Sequence, residues 1–211
     1  MQAKRLRRAT TKPANHTPVS GPFGMRYTAP MIDFSAPADV VAPQLLGAVL
    51  THNGVSVRLT EVEAYLGERD AASHTFTGRT PRNAAMFGPP GHLYVYTSYG
   101  IHRNGNIVCA PEGIGEGCLL RAGEVIDGVD KAYARRGKTD FHNLARGPGN
   151  LGQALGFSLA DNGSPIQLIE RQAEPRWVQG PRIGISKNSQ APLRFWIPFD
   201  KSVSRRRGLP A

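Results

Sequence analysis

Two glutamates, Glu61 and Glu63, stand two apart in the run Val55–Leu66, a segment rich in apolar and β-branched residues that reads as a strand. Side chains alternate along a strand. Val55, Val57, Leu59, Glu61, Glu63 and Tyr65 should therefore share one face, so that two carboxylates continue a stripe that begins apolar. Taken alone, either glutamate reads more simply as a solvated carboxylate at a sheet edge. Glu63, flanked by Ala64 and Tyr65, is the better placed for chemistry, because partial burial there would suit it to taking a proton near neutrality.

Tyr94, Tyr96 and Tyr99 crowd one short segment beside His92 and His102. Aromatic rings next to basic groups are the usual equipment for stacking nucleobases, although core packing accounts equally well for any one of them. Tyr94 and Tyr96 share a parity, whereas Tyr99 is opposite and precedes Gly100. That places Tyr99 at a strand end where the chain turns outward, as an exposed aromatic suited to a wedge.

Other chemistries find less support. The histidines at 16, 52, 74, 92, 102 and 142 form no His-x-x-x-His pair and stand near no cysteine at ligand spacing, which argues against a metal enzyme. No G-x-S-x-G elbow or Cys–His signature marks an acyl-transfer nucleophile. Gly147-Pro-Gly-Asn-Leu-Gly152 does fit the dinucleotide pattern, with Glu170 at about the distance of a ribose-binding acid. A nicotinamide-dependent enzyme thus stays as a remote alternative. Against it, the preceding Asp140–Arg146 is polar where an apolar strand is needed, and the helix after it is short.

The elements that must carry these residues are short. Val40–Leu46 reads as a helix ending at Gly47, and Leu46–Thr51 with Val55–Leu66 flanks His52-Asn53-Gly54 as a hairpin. Thr80-Pro81 opens a helix Arg82–Phe87 that Gly88-Pro89-Pro90-Gly91 stops. His92–Tyr99, Asn106–Ala110, Gly117–Ala122, Ile166–Glu170, Arg182–Ile185 and Leu193–Ile197 read as strands, and Val125–Arg135 and Asn150–Leu155 as helices. Strands in hairpin order with a few interspersed helices predict an α+β fold, one mixed domain on a mainly antiparallel sheet.

Of the 211 residues, 40% are hydrophobic, enough for one substantial core. No apolar run approaches a membrane span or a secretory signal. Cys109 and Cys118 suit two buried thiols in a reducing compartment. The formal net charge is +10, and its excess sits at the chain ends: residues 1–30 hold six Lys/Arg and no acid, and residues 171–211 hold nine against two acids. A polyanion, nucleic acid first, is the leading partner class. Residues 1–28 are basic, rich in Pro and Thr, and aperiodic, and read as a disordered tail before a domain over 29–211.

Glu61-Val-Glu-Ala-Tyr-Leu-Gly67, Ala71-Ala-Ser-His74, Thr80-Pro-Arg-Asn83 with Met86-Phe87, Pro90-Gly-His-Leu-Tyr-Val-Tyr96 and Tyr99-Gly100 stand in one order. Asn106, Leu119-Leu-Arg-Ala122, Gly147-Pro148, Arg182-Ile-Gly-Ile185 and Pro192-Leu-Arg-Phe195 follow. Together these motifs resemble the alkyladenine (3-methyladenine) DNA glycosylase family over about residues 31–197. The resemblance implies a curved antiparallel sheet, neither metal nor organic cofactor, and a partner in double-stranded DNA containing damaged purines. It implies no membrane association and a monomer. A cytoplasmic, nucleoid-associated location is expected if the source is bacterial, with nuclear or organellar ones left open.

For the site, the resemblance makes Glu63 the general base that deprotonates a water for attack on C1′ and steadies the oxocarbenium-like centre. Arg121 helps hold Glu63 and that water. Tyr65, His74 and Tyr96 sandwich the extruded base, and Tyr99 is the residue that enters the minor groove and fills the vacated stack. Asn106 opposes the exocyclic amine of guanine and so rejects a normal base. Alkylated or deaminated purines (3-methyladenine, 7-methylguanine, hypoxanthine, ethenoadenine) are the implied substrates of a monofunctional enzyme. A non-catalytic nucleic-acid-binding module is the alternative. Gly100–Gly105 departs from the family pattern, placing His102 and Arg103 where other members often carry bulky apolar or aromatic residues.

Overall fold

Asn53 and Gly54 both have positive φ, 46° and 73°, the two-residue turn in which strand twist and turn twist agree. His52 pairs with Val55 across it. This hairpin, β1 (Val49–His52) with β2 (Val55–Tyr65), anchors the fold of the computed structural model, which describes residues 31–204. The basic tail predicted over 1–28 lies outside the described residues.

The remaining strands are β3 (Leu93–Ser98), β4 (His102–Cys109), β5 (Glu116–Asp127), β6 (Gln167–Ile169), β7 (Val178–Gly180) and β8 (Arg194–Trp196). All pair antiparallel, in the order β3-β4-β5-β2-β1-β6, while β8 joins β2 beyond the end of β1 and β7 pairs with β8. The sheet curls into a half-barrel, and with three short helices it makes the single mixed α+β domain that the sequence predicts. The helices are α1 (Ala38–Leu45), α2 (Val129–Arg136) and α3 (Pro148–Leu155).

The main core lies on one sheet face. Helix α1 buries Ala38, Val41, Ala42 and Leu45, the i, i+3, i+4, i+7 stripe of an amphipathic helix. Its first N–H, on Ala38, donates to the buried Glu116 carboxylate at 2.9 Å, answering one of the unsatisfied donors of a helix start. Helix α3 adds Leu151, Ala154 and Leu155 to the same core. Cys109 and Cys118 are buried there as free thiols, their sulfurs 3.7 Å apart.

Three elements of the sequence reading are corrected, and β7 was not anticipated. Residues 125–127 belong to β5 rather than to a helix, because Val125 pairs with Val57 and Asp127 with Ser56. The chain then turns at Gly128, where a Cβ would lie 2.1 Å from the Gly54 carbonyl oxygen, and only there does α2 begin. Arg82–Phe87 is a 3-10 turn over Ala84–Phe87 rather than a helix, since Thr80 and Asn83 close on each other and Asn83 Nδ2 is spent on the carbonyls of His74 and Gly78. Arg182–Ile185 is not a strand: its backbone and side chains turn toward the site instead.

Candidate active site

The second sheet face carries the candidate site, and a fault in the ladder creates it. Leu59 pairs with Gly123 and Glu61 with Ala122, then Val62 with Leu120, so that Thr60 on β2 and Arg121 on β5 have no opposite number. These paired bulges reverse the alternation. Val55, Val57 and Leu59 enter the main core before the bulge, but Val62 and Ala64 enter it afterwards. The expected single face from Val55 to Tyr65 is therefore broken: Glu61, Glu63 and Tyr65 turn away from the apolar stripe. The plain reading of Glu61 and Glu63 as solvated edge carboxylates is corrected as well, since both are fully buried.

Glu63 sits in a row that crosses four strands, paired in turn as Glu63 with Leu119, Leu119 with Asn106, and Asn106 with Tyr94. Three donors hold its carboxylate. The Ile183 N–H donates to Oε1 at 2.8 Å, the Tyr65 hydroxyl to Oε2 at 3.0 Å, and Arg121 Nη1 lies 3.2 Å from Oε1. Arg121 Nε also donates to Glu61 at 3.2 Å. Burial alone would lower the Arg121 pKa, but the charges of Glu63 and Glu61 outweigh it and raise it.

Above this network opens a cavity of about 340 Å³, in the range of small-molecule sites. Tyr65, His74, Tyr96, Tyr99, Asn106 and Arg121 all line it. Glu63 does not line the cavity; it lies one contact behind Tyr65, Arg121 and Ile183, which do. All seven residues singled out in the sequence thus converge. One wall is aromatic: Tyr94 and Tyr96 stack with ring centres 5.6 Å apart, and His74 meets Tyr96 edge-on at 4.5 Å. Burial, then the Arg82 charge, holds His74 below its usual pKa, and burial pushes the Tyr94 hydroxyl up to about 12. Burial, reinforced by the Glu63 charge, likewise raises the Tyr65 hydroxyl, which stays a donor.

Tyr99 is 88% exposed at the tip of the β3–β4 hairpin with φ of 49°, a left-handed conformation unusual for a bulky residue. Its neighbour Ile101 is also exposed. His102 packs its ring on the Gly149 backbone at the start of α3, bracing the hairpin against the helix. The residues before Gly147 form a 3-10 turn, Phe141–Asn143, and α3 has 8 residues, so Gly147–Gly152 does not stand in the strand–turn–helix setting that a dinucleotide fingerprint requires.

A family model described as methylpurine-DNA glycosylase matches residues 32–201. The chain belongs to that family. A relative from Corynebacterium efficiens is 67% identical over 184 residues, covering 85% of this chain and 97% of the relative. One from Cutibacterium acnes is 53% identical over 190 residues, covering 84% of this chain and all of the relative, and one from Rhodopseudomonas palustris is 47% identical over 176 residues, covering 81% and 87%. Each is named "Putative 3-methyladenine DNA glycosylase". The glycosylase resemblance read from the sequence is correct, and the chain is a DNA glycosylase of this type, a hydrolase of N-glycosyl bonds.

Sequence reasoning quoted Arg182-Ile-Gly-Ile185 but missed what it does. Arg182 forms a fully buried ion pair with Asp70, donates to the Ala64 carbonyl at 2.9 Å and lays its guanidinium 4.4 Å from the centre of the Tyr65 ring. This fixes a strap whose Ile183, Gly184 and Ile185 wall the cavity. Burial would raise the Asp70 pKa, but its bonds to Arg182 and Asn188 lower it. Arg194, which ion-pairs with Glu61, was also missed. The signal was a surplus of arginines in a region with few acids, and nothing local says which acid each one meets.

Proposed function

We propose that this glycosylase takes an alkylated or deaminated purine, extruded from double-stranded DNA, into the aromatic cavity and hydrolyses its N-glycosyl bond to leave an abasic site. The observation that carries the reading is the placing of a fully buried carboxylate, Glu63, directly behind an aromatic cavity whose rim bears the exposed Tyr99. An enzyme that attacks C1′ inside a duplex must unstack its target, at a cost of a few kcal/mol that damaged bases partly spare. Tyr99 fills the gap in the stack. Tyr65 on one side and His74 with Tyr96 on the other hold the base, and face-on aromatic electrostatics favour cationic alkylated rings.

The water attacking C1′ gives its proton to Glu63, whose charge also steadies the oxocarbenium-like centre. Because Oε2 accepts from the Tyr65 hydroxyl, the water must share or displace that bond as it enters. Arg121 and the Ile183 N–H keep Oε1 occupied, which aims Oε2 at the water. No lysine lines the cavity among the described residues, and Lys187 borders only a shallow depression beside it, so the reading is a monofunctional enzyme without a Schiff-base step. Asn106, its Nδ2 tied to the Tyr94 carbonyl at 3.2 Å, rejects guanine at its exocyclic amine.

The test is single-turnover excision from duplexes bearing 3-methyladenine, 7-methylguanine, hypoxanthine or ethenoadenine, with strand cleavage scored before and after alkali. Wild-type protein should excise, with cleavage only after alkali, and Glu63→Gln should lose at least about a hundredfold in rate. Tight DNA binding with no excision of any lesion would instead support a binding module.

A further inference from the structure

The family match ends at residue 201, yet the chain continues to build the site beyond it. After β8 the backbone turns back along β2. Asp200 accepts from Arg58 Nη2 at 2.8 Å, and the hydroxyls of Ser202 and Thr60, the latter the unpaired bulge residue, lie 2.8 Å apart. Ser204 then reaches Glu61. Its N–H donates to Oε2 at 2.7 Å, and its hydroxyl lies 2.6 Å from Oε2 and 2.8 Å from Oε1. The same hydroxyl oxygen accepts from Arg121 Nη2 at 3.5 Å, and the Ser204 carbonyl accepts from Arg194 Nη2 at 3.1 Å.

We infer that Ser204 is a positioning residue for Glu63, acting through Glu61 and Arg121, and that the segment after residue 201 is part of the reaction machinery. One guanidinium is shared by two buried carboxylates. Arg121 spends Nε on Glu61, Nη1 on Glu63 and Nη2 on Ser204. The Ser204 hydroxyl gives Nη2 an acceptor and donates its one proton to the Glu61 carboxylate, nearest Oε2. Without it, Nη2 has no partner among the described residues while Glu61 Oε2 has lost one of its donors, and the geometry that satisfies both is a bidentate fork of Nε and Nη2 on Glu61. That fork tilts Nη1 away from Glu63. The carboxylate that takes the proton then loses its cation, and the water loses its alignment.

This inference rests on the glycosylase reading, so its test carries one arm that needs no activity. Ser204→Ala and Ser204→Thr in the full chain are compared with wild type for single-turnover excision at saturating enzyme, for DNA dissociation constant and for melting temperature. Ser204→Ala should excise roughly tenfold more slowly, the size expected for one charge-assisted hydrogen bond. DNA affinity should stay within about twofold, and Ser204→Thr should restore the rate. A wild-type rate in Ser204→Ala, or a loss that follows a lowered melting temperature and is not restored by threonine, would overturn the inference. If the wild type excises no lesion, the functional reading fails, and the nitrogen–proton spectrum decides this one. The Arg121 Nε–H signal, assigned by its absence in Arg121→Lys, should shift in Ser204→Ala; an unmoved signal overturns the inference.

Discussion

Glu61 and Glu63 lie two residues apart on β2 and share one cation, with Arg121 Nε 3.2 Å from the first and Nη1 3.2 Å from the second. Their roles divide by what else each touches. Glu63 meets cavity residues, Tyr65 and Ile183, whereas Glu61 meets Arg194 and Ser204, which do not line the cavity. Glu61→Gln should therefore act on stability first. It leaves Arg194 and part of Arg121 buried without compensation, a loss of roughly 3 kcal/mol, read as a lowered denaturant midpoint with unchanged slope.

His74 carries a pH prediction whose sign is fixed by its surroundings. Its folded pKa lies below 6.5, so the neutral ring persists at neutral pH and charges only in more acid solution. A protonated His74 beside a cationic base repels it. Excision of 7-methylguanine should fall as pH drops through that lowered value, and His74→Gln should remove this acid limb while slowing the reaction overall. An identical limb in wild type and variant would assign it to another group.

The Asp70–Arg182 pair makes a second pH prediction. A carboxylate whose folded pKa is lowered contributes stability that is fully present above its unfolded value of 3.8 and is lost as pH falls through the folded one. Wild-type melting temperature should thus drop steeply below about pH 4, where the unfolded chain begins to take up the proton that the folded pair still refuses. Asp70→Asn should melt lower at neutral pH, by an amount equivalent to roughly 3 kcal/mol, with a shallower acid slope. Because the strap would loosen, its excision rate should fall with it.

Tyr99 separates stability from function. At φ of 49° and 88% exposure it is strained and packs on little, so Tyr99→Asn should leave the melting temperature unchanged or raise it. Excision from duplex DNA should drop, while excision from a single-stranded oligonucleotide, which needs no wedge, should change much less. Equal losses on both substrates would place Tyr99 in the chemistry instead.

Deleting residues 1–28, which hold six Lys/Arg and no acid, should weaken binding to undamaged DNA and flatten its dependence on salt while base excision persists. The slope of log affinity against log salt concentration is the direct readout. An unchanged slope would show that the tail does not contact phosphates.

The sequence by itself made legible which residues would come together at one cavity, and it determined the local turns. Asn53-Gly54 has a conformational preference that no packing is needed to express, and the hairpin stands where that dipeptide put it. Glu63, Tyr65, His74, Tyr96, Tyr99, Asn106 and Arg121 were legible because their types and order resemble a known family, and the structure gathers them at one cavity. The tertiary structure alone decided which way they face. A strict two-residue alternation puts Glu63 on the core side, and only the bulges at Thr60 and Arg121, forced by pairing with a strand 60 residues away, turn it to the cavity. Residues 125–127 likewise became strand because β2 offered them a ladder, overriding a helix-like pattern. The partners of the buried charges, Asp70 with Arg182 and Glu61 with Arg194 and Ser204, lie more than 100 residues apart in the chain. Coulomb attraction in a dry interior is strong but carries no sequence period, so these pairs become visible only once the sheet has brought the two ends of the chain together.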